Sequence, residues 1–221
     1  MNTAKSALVA TALLITGAAQ ADVSANLGFA SDYYYRGIFQ AASSASGGVD
    51  YENGGFYAGT WAADVKDGLE VDGYFGYGGE LGDFSYGVGY TGYFYTGDFD
   101  DTYQEINLSA GYGIVTLDVA IGEYDSPPAD AICTPSLPPS CSPGKSDYTY
   151  YSLTVEKNGF YGKYAGFSQD FSGEYFEAGY GTTVADIDLG VNLIFNDKDL
   201  SGDGSSDQAL IFTVGKSFDL N

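Results

Sequence analysis

Apolar and polar residues alternate along most of the chain, and this period of two restricts the possible folds more than any other feature. In "VTLDVAIGEY", 115–124, Val115, Leu117, Val119 and Ile121 point one way, while Thr116, Asp118, Ala120 and Gly122 point the other. "DIDLGVNLIF", 186–195, and "QALIFTVGKSF", 208–218, repeat the pattern. Twelve such segments can be marked: 23–36, 45–52, 56–65, 69–79, 84–95, 103–112, 115–124, 148–157, 160–169, 174–182, 185–195 and 208–218. Most approach the roughly 9–11 residues that a tilted strand needs to cross a bilayer. Segments 84–95 and 160–169 are aromatic on both faces, so their orientation stays open.

The joins sort into two kinds. After even-numbered segments they are tight: "NG" at 53–54, "ELGD" at 80–83, "GI" at 113–114, "NG" at 158–159 and "TV" at 183–184. Asn-Gly suits a two-residue hairpin, because both residues tolerate positive φ. After odd-numbered segments the joins are mostly longer: "GIFQAASS", "TGDFDDT", the Pro-rich 125–147 and "NDKDLSGDGSSD", with "KDG" and "DFSG" as short exceptions. Alternating long and short joins put the long ones at one end of a sheet. An even number of antiparallel strands puts both termini at the other. Residues 1–21 read as a signal peptide, with Lys5, an apolar run from Ala7 to Ile15 and an A-x-A site at Ala19–Ala21. The expectation is therefore all-β: a single antiparallel up-and-down transmembrane β-barrel of about twelve strands, residues 22–221, in the bacterial outer membrane.

Composition removes other functions. Thirty acidic residues face eight basic ones, which excludes a nucleic-acid partner and leaves outer-membrane lipid and small hydrophilic solutes. With no histidine, His-dependent catalytic triads and His-ligated metals are ruled out, and no nucleophile–base pair suggests an enzyme. Tyrosines crowd the segment ends, among them Tyr33, Tyr35, Tyr51, Tyr57, Tyr95, Tyr112, Tyr148 and Tyr180, as rim girdles would require. A soluble β-sandwich would also hold core tyrosines, but it has no reason to sort its loops.

The opening "ANLGFASDYYYRGIFQ", with its S-D-Y-x-x-R-G core, resembles that of the TorF-type porins, a family of conserved hypothetical proteobacterial outer-membrane proteins. "GGVDYENGGFYAGTWAADV", "GYGGELGDFSYGVGYTGYFY" and "YQEINLSAGYG" are similar to the same family. The resemblance implies an outer-membrane barrel with channel function and brings no catalytic residues.

If the apolar stripes touch lipid, the opposite stripe carries Asp32, Tyr34, Arg36, Asp50, Glu52, Asp64, Glu70, Asp72, Glu105, Asp118, Glu156, Glu177, Asp186 and Asp188. Such an interior would favour cations. Arg36 is the only arginine, and by parity it points inward, where its planar fork can brace the barrel or form part of a selective constriction. A passive channel with cation preference is the leading reading; a closed barrel with a structural or loop-mediated binding role is the alternative. Cys133 and Cys141 flank a loop tip and, in an exported chain, are expected to form a disulfide. No cofactor is expected, except that Asp197, Asp199, Ser201 and Asp203 match the start of a calcium loop; Gln208 stands where that loop needs a bidentate glutamate.

Overall fold

The computed structural model describes residues 22–126, 144–201 and 204–220. The signal segment, Cys133, Cys141 and Asp203 lie outside the described residues. Twelve strands close into one antiparallel barrel in strict sequence order, with β1 sealing against β12. They are β1 Asp22–Tyr35, β2 Ile38–Asn53, β3 Phe56–Val65, β4 Gly68–Leu81, β5 Phe84–Tyr95, β6 Tyr103–Tyr112, β7 Val115–Ser126, β8 Gly144–Lys157, β9 Phe160–Gln169, β10 Gly173–Val184, β11 Ile187–Asn196 and β12 Asp207–Asp219. Closure satisfies backbone groups that an open edge would leave bare, which a bilayer does not tolerate.

The alternation points outward as expected. Leu27, Phe29, Val88, Ile106, Leu117, Ile121, Leu153, Leu189, Leu210, Phe212 and Val214 are all exposed. An apolar band of this extent suits acyl chains rather than water. At the end that carries both termini, Tyr51, Phe56, Phe84, Tyr86, Tyr112, Phe160, Tyr180 and Phe218 form an exposed aromatic girdle, several in ring contact with a neighbour. The ambiguous strands resolve: β5 turns Phe84, Tyr86 and Val88 outward and buries Thr91 and Tyr93, while β9 turns Phe160 and Tyr164 outward and buries Tyr161 and Phe167.

Tight turns fall at Gly54–Gly55, Gly82–Asp83, Gly113–Ile114, Asn158–Gly159 and Ala185–Asp186, each with at least one residue at positive φ. The last lies two residues beyond the "TV" expected from sequence, with Ala185 and Asp186 both at positive φ.

The largest departure is in the first hairpin. The sequence suggested a long join over "GIFQAASS"; instead β2 begins at Ile38, and the turn is only Arg36 and Gly37, at φ 49° and 87°. β1 pairs with β12 over Ser24–Ala30, and β2 with β3 over Ser46–Asn53. Beyond those points Asp32–Tyr35 and Ile38–Ala42 pair, among the described residues, only with each other. The hairpin thus leaves the wall as a free arm, and its tip lies inside the barrel.

A candidate constriction built on the infolded hairpin

Where the arm leaves the wall, the pattern of burial inverts. Pairing keeps one register from Ala30↔Ser44 to Tyr33↔Ala41, interrupted at Ser31 and at Ser43, which sits at φ 63°, and the one register shift falls between Tyr33 and Tyr34. The arm bends into the bore, so its outward-parity face meets inner side chains of β3 and β4. Phe29 is therefore exposed, while Tyr33, of the same parity, is buried. The departure point is pinned on both sides: the Phe212 N–H donates to Ser31 Oγ at 3.0 Å, and Ser44 Oγ donates to the Asp64 carbonyl at 2.7 Å.

The tip crosses to strands far from its own. Arg36 Nη1 and Nη2 donate to the two oxygens of Glu105 on β6, both at 2.7 Å. The guanidinium lies over the rings of Tyr35 and Tyr150, 4.9 and 4.2 Å from their centroids. Asn196 Nδ2 donates to the Gly37 carbonyl at 2.9 Å, and Gly37 fits close against Tyr175 and Leu200. Glu105 is fully occupied: Tyr93 and Asn107 donate to Oε1 at 2.7 and 2.6 Å, and Tyr148 to Oε2 at 2.8 Å. A bidentate arginine, aromatic faces and three further donors are what a buried carboxylate needs to stay ionised without a large cost.

A second carboxylate, Glu70 on β4, is 1 % exposed and accepts from Tyr33 at 2.6 Å and Tyr95 at 2.8 Å. Tyr35 donates to Tyr93 at 2.6 Å, so arm tyrosines serve both acid sites, Tyr33 at Glu70 and Tyr35 through Tyr93 at Glu105.

Asp50, Glu52, Glu70, Asp72, Glu105, Asp118, Glu156, Glu177 and Asp188 all sit on the face opposite the exposed apolar residues of their strands. Asp50 binds Asn26 and Tyr74, Asp118 binds Ser109 and Ser152, and Glu177 binds Tyr161 and Asn192. Four residues differ from the sequence assignment. The inward bend brings Tyr33 to Glu70 and Tyr35 to Tyr93 in place of Asp32 and Tyr34. Asp32 accepts from its neighbour Ser31, and Tyr34 reaches Asp207 at the start of β12. Asp64 shares the outward parity of Phe56 and is exposed; the aromatics on both faces of β3 hid this. Asp186 belongs to the β10–β11 turn rather than to a strand.

Of the tyrosines assigned to the girdle, Tyr33 and Tyr148 are buried, and Tyr95 joins them in donating to interior carboxylates. The signal that could have found them is stoichiometric: with one arginine and no histidine, interior acids must rely mostly on neutral donors, and tyrosine is abundant. In the last loop, Asp197 accepts from the backbone N–H groups of Glu174, Asp199 and Leu200, and Asp199 pairs with Lys198. Ser201 donates to backbone carbonyls of its own loop.

The family model described as "Bacterial protein of unknown function (Gcw_chp)" matches residues 15–136. The chain belongs to the Gcw_chp family. No curated protein matches it. Among solved structures, one reported under "Unveiling the Mechanism Behind the in-meso Crystallization of Membrane Proteins" has a TM-score of 0.56 at 8 % identity, covering 90 % of this chain and 84 % of that one. At that identity the likeness speaks for the fold. The NanC porin scores 0.48 at 10 % identity, covering 90 % of this chain and 100 % of its own. Pseudomonas aeruginosa OccK1 (OpdK) scores 0.42 at 12 %, and this Gcw_chp chain spans 57 % of its length and is 81 % covered.

Proposed function

We propose that this chain is an outer-membrane barrel that passes small hydrophilic solutes without catalysis, favours cations, and is narrowed near its loop end by the infolded β1–β2 hairpin. The opening similarity to TorF-type porins supports the same reading. The observation that carries it is the arm itself: a hairpin that leaves the wall to place the sole arginine against a carboxylate across the bore. Beyond the arm, inward groups such as Asn26, Asp50, Glu177 and Asn192 are only partly buried, as groups lining water would be. Carboxylates in such a passage attract cations and repel anions.

The alternative is a barrel held closed. It is favoured by one observation: the Glu105 side chain is wholly inaccessible and its Arg36 partner is 11 % exposed. Planar-bilayer recordings separate the two. The full chain should give discrete steps whose reversal potential in a salt gradient has the cation sign, and replacing residues 32–42 by Asn-Gly should enlarge them several-fold. A silent wild type beside a conducting arm-less variant would establish the closed barrel. Silence from both, with folding verified by heat-modifiable gel mobility, would end the channel reading.

A further inference from the structure

The constriction contains a carboxylate that its network does not serve. Asp72 lies on β4 two residues from Glu70, one step further from the loop end, on the same inward face. It is 8 % exposed, and its Oδ1 has no hydrogen-bond partner among the described residues. The ion pairs among those residues join Arg36 to Glu105, Lys145 to Glu123 and Lys198 to Asp199, so none of them reaches it. Nearby, Glu105 has the guanidinium and Glu70 has two phenols. A buried carboxylate without a donor is costly unless it takes up a proton or a cation compensates it.

Its neighbours define which cation. In the β3–β4 register Asp72 faces Trp61, and in the β4–β5 register it faces Tyr93. Directly opposite residues on one face of a sheet lie side by side, so the carboxylate is set between an indole and a phenol. One charge flanked by aromatic rings suits a soft, weakly hydrated monocation, whose attraction to ring faces adds to the ion pair. It does not suit calcium or magnesium, which need six or more oxygens. Among the described residues no three acidic, cysteine or histidine side chains converge as a metal would require.

We propose that Asp72, Trp61 and Tyr93 form a binding site for small organic ammonium ions beside the Arg36 constriction. In the channel, whose existence rests on the reading above, this site selects amine-bearing solutes. Binding itself does not require the channel to be open.

Trp61 is the only tryptophan in the chain, so its fluorescence reports on this site directly. The test is a titration of the purified, detergent-solubilised full chain with methylammonium chloride, against lithium chloride at equal ionic strength. Wild type should show a saturable change with methylammonium and none with lithium. Asp72→Asn should weaken the response by at least about tenfold, the loss expected when an ion pair is removed from a buried site. Because the cation comparison is made on wild type, it stands even if the variant does not fold. No saturable change in wild type, an equal response to lithium, or an undiminished response in a folded Asp72→Asn would each overturn the site. Each outcome is independent of conductance: a conducting wild type with no methylammonium response refutes the site and leaves the channel, while a silent protein that binds methylammonium does the reverse.

Discussion

The β6–β7 and β1–β2 hairpins start from the same local device and end in different places. Each turns on two residues with a glycine at positive φ, Gly113 at 63° and Gly37 at 87°. The β6–β7 turn stays in the wall: Tyr112 and Ile114 are exposed, and the strands behind them stay paired with both neighbours. The β1–β2 turn leaves the wall after Ala30 and crosses the interior. Turn chemistry decides only that a chain reverses. Where the tip rests is decided by what its side chains require. Apolar side chains at the β6–β7 tip are at home beside lipid, whereas a guanidinium gains nothing there and costs up to about 1 kcal/mol near the interface. Directed inward, it meets the carboxylate and aromatic faces that compensate it.

If that account is right, the arm depends on one ion pair as the wall does not. Arg36→Ala would leave Glu105 buried without a cation. Chemical denaturation should show a loss of about 3–5 kcal/mol, the range for breaking one partner of a buried pair. The double variant Arg36→Met with Glu105→Gln should recover most of it, since no charge is then stranded. A single variant as stable as wild type would mean that the arm is seated by Tyr33, Tyr35 and Asn196 rather than by the ion pair.

The wall should respond to face rather than to partners. Leu117, outward on β7, and Thr116, inward beside it, are adjacent in sequence and opposite in surroundings. Leu117→Arg, on the lipid face a few residues from the β6–β7 turn, should cost about 1–2 kcal/mol, between the interfacial and mid-bilayer values. Thr116→Arg enters an acidic interior and should cost much less. Folding yields into lipid vesicles at graded urea would measure both, and equal losses would contradict the outward assignment of the apolar stripe.

This contrast also explains how far the sequence could be read. The wall was legible because its signal is local: alternation in 115–124 or 186–195 is repeated in each strand, and turn residues mark the ends. The sorting of "VTLDVAIGEY" into two faces needs no knowledge of the rest of the chain. The arm was not legible, because its decisive events are non-local. Ser43 carries nothing in its residue type to announce a positive φ, and the inward bend of the arm reassigns Tyr33, Tyr34 and Tyr35 together. Parity counted from Phe29 placed Arg36 inward, yet it misplaced the tyrosines on the way. Asp64 failed for a related reason, since Phe56, Tyr57 and Trp61 put aromatics on both faces of β3.

The smallest test compares the two glycines. A methyl group added at Gly113 would meet nothing within 4 Å, so Gly113→Ala carries only the strain of positive φ, about 1 kcal/mol. At Gly37 the same atom would lie 2.7 Å from Tyr175 Cδ1 and 2.8 Å from Leu200 Cδ1. Those contacts are closer than packed carbons tolerate, so either ring and leucine shift or the tip withdraws. Withdrawal would lengthen the 2.7 Å bonds to Glu105 and the 2.9 Å bond from Asn196. Gly37→Ala should therefore cost about 1–3 kcal/mol more than Gly113→Ala in the same denaturation assay, and it alone should alter conductance. Equal costs at the two positions would mean that the tip is not seated against β10 and the last loop, and the arm would then be a rim feature rather than a constriction.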